Sequence, residues 1–173
     1  MNMFNKKILL NLLLLTFSIG VILFFRVIPH PPNFTPVIAL SLYLPIFFGI
    51  WSLPFCILGF AITDYFIGFH SLLIWTWSGL ALVGLLSLLA KGRVSRILLS
   101  LTGALIFFIT SNFGVWLTSS FYTHDFQGLI NCYILAIPFF TNTLISTMLF
   151  AGLFEFLFSS RFFFLKSHIR KIN

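Results

Sequence analysis

Six apolar runs, separated by short polar or proline-bearing breaks, take up nearly the whole chain, at roughly residues 8–25, 37–49, 53–69, 71–90, 97–118 and 129–158. A helix that crosses a bilayer needs about 20 predominantly apolar residues. The pattern therefore predicts an all-α membrane protein of six transmembrane helices, forming one integral domain over residues 1–173. The division that needs argument lies between Val37 and Phe69. As one helix this stretch would run about 50 Å at about 1.5 Å per residue, well beyond a hydrocarbon core of about 30 Å. Pro45, Gly49 and Pro54 interrupt it, and proline removes a helical hydrogen bond or ends the helix. Two short helices joined near residues 49–52 are predicted, with a re-entrant hairpin as the alternative.

Composition supports lipid as the solvent. Hydrophobic residues make up 60% of the chain and charged residues 8%, and a mean hydropathy of +1.09 leaves no room for a soluble domain. The first run follows Lys6 and Lys7, as in a secretory signal, but no small-x-small cleavage site interrupts Ile8 to Phe25, which predicts a retained helix. The excess of basic residues does not point to nucleic acid, because they sit in short clusters between apolar runs, where they set membrane orientation. With six spans, Lys6, Lys7, Lys91, Arg93, Arg96, Arg161, Lys166, Arg170 and Lys171 fall on one side and Arg26 alone on the other. That division predicts a multi-pass protein of the bacterial inner membrane with both termini cytoplasmic. Five spans with an external N-terminus would satisfy the charge rule as well; the length and prolines of 37–69 favour six. Cys56 and Cys132 fall in or beside different spans, near opposite faces, so packing roles are predicted and no disulfide or metal-ligand spacing is seen.

This orientation gathers His30, Asp64, His70, His124 and Asp125 on the outer side. The connector from Arg26 to Pro36 holds four of the seven prolines, and proline fixes φ and favours an extended residue before it. A stiff segment carrying Arg26, His30, Asn33 and Thr35 suits a binding site; the alternative is a structural turn in which Arg26 anchors to headgroups. Asp64, inside an apolar run, is costly to bury without a partner. Arg26, His30 or His70 are the candidate partners, with a merely structural helix lock as the alternative. In the fifth run Asn112 and Trp116 share a helical face. Tyr122 follows in the loop, and the last run opens with Asn131 and contains Asn142, giving a second polar and aromatic stripe. Trp75, Trp77 and Trp116 are alternatively interfacial aromatics. Glu155 and His168 read as a solvated helix end or an ion pair near Arg161 and Lys166.

Catalysis finds little footing. Ser71 beside His70 lacks a G-x-S-x-G elbow, and no zinc-protease, paired-carboxylate, dinucleotide or P-loop signature is present. The chain is expected to be no enzyme, to use no cofactor or metal, and to be unable to drive transport with ATP by itself. An acid–base enzyme built on Asp64 and His70 is the weakest of the readings considered.

The run R-x-x-P-H-x-x-N-F-T-P from Arg26 to Pro36, then Asp64-x-x-x-Gly68-x-His70, Ser111-Asn112-Phe113-Gly114-Val115-Trp116, and Cys132-Tyr133-x-x-Ala136-Ile137-Pro138-Phe139-Phe140-x-Asn142-Thr143, resembles an uncharacterised bacterial membrane-protein family, a domain of unknown function. The likeness covers nearly the whole chain. In size, six-helix pattern and the Asn-x-Thr-Pro entry to the second helix, the chain also resembles the substrate-binding S components of energy-coupling-factor vitamin transporters. That second resemblance implies an S-component-like bundle, an outer-facing pocket for a vitamin-like molecule, and a membrane coupling subunit with ATPases as partners. The chain departs from it in the first run, where Leu12 to Leu15 replace the Ala-x-x-x-Ala face that such proteins turn to the coupling subunit.

The expectation drawn from the residues is a component that takes up a small, planar or anionic solute from the periplasmic side. Arg26 and His30 would supply charge, and Trp116 and Tyr122 stacking surfaces. A structural or assembly protein of the cell envelope is the alternative.

Overall fold

A computed structural model describes the backbone over residues 3–169 and the side chains of Leu9 and of residues 11–157. Six α-helices follow one another: α1 (Met3–Val27), α2 (Val37–Phe48), α3 (Leu53–Ile67), α4 (Leu73–Leu85), α5 (Arg93–Thr118) and α6 (Phe126–Ile169). Short 3-10 turns at Ile50–Ser52 and Leu86–Leu89 precede α3 and extend α4. No strand occurs among the described residues. Each helix falls on one apolar run. The side chains of Lys6, Lys7, Arg161, Lys166, His168, Arg170 and Lys171, on which part of the charge argument rests, lie outside the described residues.

The expected break in 37–69 falls at Gly49. Its φ of 91° is open to glycine and strained for residues with a Cβ, and the Trp51 ring occupies the space a side chain would need. Pro54 then sits in the first turn of α3, where its missing N–H leaves no helical bond unmade. Among the described residues, three stretches are long and apolar enough to cross a membrane: Ile50–Ile67, Arg93–Thr118 and Phe126–Leu157. Asn11–Val27, Val37–Phe48 and Leu73–Leu89 are shorter apolar helices.

The shortest of them, α2, forms the centre. Its residues Val37 through Pro45 are all buried, and it touches each of the other five helices. Twelve residues make only about 18 Å of helix, so α2 reaches part of the way along the bundle. Neighbouring pairs fix the directions of the rest. Ile22 packs on Gly59 and Arg26 meets Thr63, so α1 and α3 run parallel. Arg96 meets Glu155 while Cys132 meets Asn112, so α5 and α6 run antiparallel. Large apolar side chains such as Phe17, Leu88, Leu149 and Phe156 point outward, as a lipid-facing surface requires.

Candidate functional site

Asp64, in the last turn of α3, has a fully buried side chain. Three groups converge on it. Arg26 Nη2, from the end of α1, lies 2.7 Å from Oδ1; Trp77 Nε1, from α4, donates to Oδ2 at 2.8 Å; and His70 Nε2 stands off at 3.9 Å from Oδ1. The Arg26 contact is chiefly electrostatic, since no N–H is aligned on Oδ1. Arg26 makes further contacts: Nη1 donates to Thr63 Oγ1 at 2.7 Å and to the Phe60 carbonyl at 3.3 Å, and Cζ lies 3.8 Å from the Phe60 ring centroid. The carboxylate thus has the cation that membrane burial demands, and α1, α3 and α4 are locked together at one level.

The connector between α1 and α2 turns sharply at Pro31–Phe34. Phe34 N donates to Pro31 O at 3.0 Å across Pro32 and Asn33. Asn33 has φ 63°, so proline at the second and asparagine at the third position match the residue pattern of a type II turn. The turn is pinned to α6, where Asn142 Nδ2 donates to Pro32 O at 3.1 Å. His30 Nδ1 lies 2.7 Å from the Pro31 carbonyl. A carbonyl only accepts, so Nδ1 carries the hydrogen and Nε2 of the neutral ring is left as an acceptor.

Under this connector lies a cavity of about 260 Å³, lined by Arg26, His30, Asn33 and Thr35 together with Val37, Ile38, Phe60, Ile67, Phe107 and Thr143. Arg26 stands in the last turn of α1, Ile67 ends α3 and Val37 begins α2, so the cavity lies level with the ends of three helices while α5 continues past it. Phe107 is 14 residues from Arg93 and 11 from Thr118, so the cavity lies about 21 Å from one end of α5 and about 17 Å from the other.

The cavity's electrostatics follow from these contacts. Arg26 and Asp64 cancel. The first amides of α2 have no helical acceptor, no side chain caps them, and Val37 and Ile38 are among the lining residues. A helix start favours an anion by about 0.3–1 kcal/mol at exposed sites and up to about 2 kcal/mol in partly buried ones. Burying an unpaired carboxylate costs several kcal/mol. The second effect is the larger, and the Arg26 charge that was expected to serve a solute is paired with Asp64 in this structure.

The remaining residues expected at the site are held elsewhere. His70 is exposed on the α3–α4 turn, where Nδ1 accepts the Leu72 N–H at 3.2 Å. Asn112, Trp116 and Asn131 belong to the ends of α5 and α6, and Tyr122 to the loop between them, beyond the cavity. Asn112 Nδ2 donates to Phe108 O at 2.8 Å in its own helix, Trp116 Nε1 to Thr123 O at 2.9 Å, and Asn131 Oδ1 accepts from Gln127 Nε2 at 3.1 Å. Tyr122 is half-buried in the α5–α6 loop. Asn112 and Trp116 share a face as expected, but stand about one and two and a half turns beyond Phe107. Trp116 and Tyr122 are absent from the cavity lining; its aromatic walls are Phe60 and Phe107, which no sequence pattern singles out among 25 phenylalanines.

A second buried ion pair lies toward the other end. Glu155 is 1% exposed and receives a forked contact from Arg96, with Nη2 at 2.7 Å from Oε2 and Nε on Oε1. Tyr43 donates to Oε1 at 3.0 Å, and Arg93 Nε stands 3.7 Å from Oε2. The ion pair expected for Glu155 exists, with a different partner and without solvation. The missed signal was its place within the apolar run 129–158, the same signal that drew attention to Asp64. Cys56 and Cys132 are free and buried, and no cluster of metal-ligating side chains occurs among the described residues.

The chain belongs to a family of unknown function (DUF6580), whose sequence profile matches residues 6–169. Curated proteins and solved structures give no match to the chain.

Proposed function

We propose that this member of the family is a substrate-binding membrane component of a small-solute uptake system, binding its solute in the cavity beneath the proline-rich connector. One observation carries the reading: a cavity of about 260 Å³ with a mixed polar and apolar lining, beside the middle of α5 and bordered by the proline-rich connector and the start of α2. Secondary transporters place their sites in this way, near mid-depth and at the ends of discontinuous helices. The volume lies just below the usual range of about 300–1,000 Å³ for drug-sized ligands, so the solute is small.

In this reading six helices cross the bacterial inner membrane, both termini are cytoplasmic, and the cavity is served from the periplasmic side. The resemblance to S components supplies the partners: a coupling subunit in the membrane and ATPases beneath it. The test is a thermal-shift screen of the purified protein in lipid nanodiscs against small metabolites and vitamin precursors. Stabilisation by some solute in the wild type, lost when Thr35→Phe fills the cavity, supports the reading. Stabilisation that survives Thr35→Phe, or none at all, overturns it. External labelling of Gly92→Cys in a cell background free of Cys56 and Cys132 would contradict the orientation.

A further inference from the structure

We infer that the cavity selects an uncharged, flat solute bearing both a hydrogen-bond acceptor and an N–H or O–H donor, and discriminates against carboxylates; this rests on the reading of the cavity as a binding site. Three observations lead to it. First, the Arg26 guanidinium that lines the cavity is neutralised by Asp64 at 2.7 Å, occupied by Thr63 and Phe60, and stacked on the Phe60 ring. No other permanent charge lines the cavity, so an anion entering it would shed water without gaining a counter-charge. Second, the polar groups come as complementary halves. The Asn33 amide and the Thr35 hydroxyl bring donors to the lining, while the His30 ring commits its Nδ1 hydrogen to Pro31 O and leaves Nε2 as an acceptor. Thr143 Oγ1, which gives its hydrogen to Phe139 O at 2.9 Å, likewise has only lone pairs to present. Third, Phe60 and Phe107 supply flat walls. An amide, a lactam or a neutral nitrogen heterocycle meets all three conditions.

The experiment compares benzamide with benzoate, which match in shape and differ in charge. Binding to the protein in nanodiscs is measured by calorimetry at pH 8, where an imidazole is ordinarily uncharged, in the wild type and in Asp64→Asn. Asparagine keeps an acceptor for Trp77 Nε1 but frees the charge of Arg26. The wild type should favour benzamide by at least about tenfold, and Asp64→Asn should turn that preference toward benzoate. The double variant Arg26→Gln with Asp64→Asn, neutral again, should return to benzamide. Equal or tighter binding of benzoate by the wild type overturns the inference while leaving the cavity a binding site, and so does an unchanged ratio in folded Asp64→Asn. If neither probe binds the wild type, the inference is overturned. Whether the cavity binds any solute is decided separately by the loss or survival of thermal stabilisation in Thr35→Phe. Should Asp64→Asn fail to fold, the wild-type ratio alone decides.

Discussion

Arg26 and Asp64, 38 residues apart in sequence, meet at 2.7 Å with the carboxylate wholly buried and the arginine nearly so. Removing one partner of a buried pair strands the other charge, at a cost of about 3–5 kcal/mol. Asp64→Ala is therefore expected to lower the melting temperature strongly. The double change Arg26→Met with Asp64→Ala should lower it less than Asp64→Ala alone. Equal losses in the single and double variants would show that the carboxylate matters for packing and not for charge.

Tyr43 and Glu155 offer a parallel case toward the other end of the bundle. Tyr43→Phe removes one hydrogen bond to a carboxylate that keeps Arg96. Hydrogen bonds to charged groups contribute about 1.5–3 kcal/mol, and the lower end is expected because Arg96 remains. Glu155→Ala should cost more than Tyr43→Phe in chemical denaturation. A smaller loss for Glu155→Ala would contradict the picture of a buried charge network.

The register of α4 against α5 is testable at one glycine. A Cβ on Gly114 would lie 2.5 Å from Trp75 Cδ1 and 2.6 Å from Trp75 Cβ, atoms close to the backbone that have little freedom to move away. Gly114→Ala should destabilise by about 1–3 kcal/mol, as overpacking does. Gly20→Ala, with nothing within 4 Å of the added atom, should be neutral or gain up to about 1 kcal/mol from helix propensity. The two variants, unfolded side by side, should differ in this order.

Asp125 caps the start of α6. Its Oδ1 accepts the Gly128 N–H at 2.7 Å and the Thr123 hydroxyl at 2.9 Å, and the Gly128 bond, followed by that from Thr123, holds its carboxyl below the ordinary range. A depressed folded value means that the capping contribution is present above the unfolded value and fades as pH falls through the folded one. Hydrogen exchange at Gly128, corrected for its intrinsic pH dependence, should accelerate on acidification below about pH 4. In Asp125→Asn, which still caps, the acid effect should vanish. An acid acceleration that persists in Asp125→Asn would assign it to another group.

Much of the fold was legible because lipid imposes a simple rule: apolar runs of the right length become helices, and the Pro45–Gly49–Pro54 group marks the break. The Arg26–Asp64 pair was legible for a related reason, since a carboxylate in an apolar run needs a cation and Arg26 was the one permanent cation assigned to that side. Asn112 and Trp116 announce a shared face, but the pattern does not show that α5 runs on past the cavity and carries them beyond it. Phe60 and Phe107 carry no local signal, because their role depends on what four other elements leave open between them. The partnership of Glu155 with Arg96 and Tyr43 required knowing that α2, α5 and α6 converge.

The central claim is that a small solute occupies the cavity under the connector. A crystal structure of the protein with the solute that stabilises it most is the direct test. The account predicts density between Phe60 and Phe107, in contact with His30 Nε2 and the start of α2. Density against Asn112, Trp116 and Asn131 instead, with the cavity empty of solute, would contradict it.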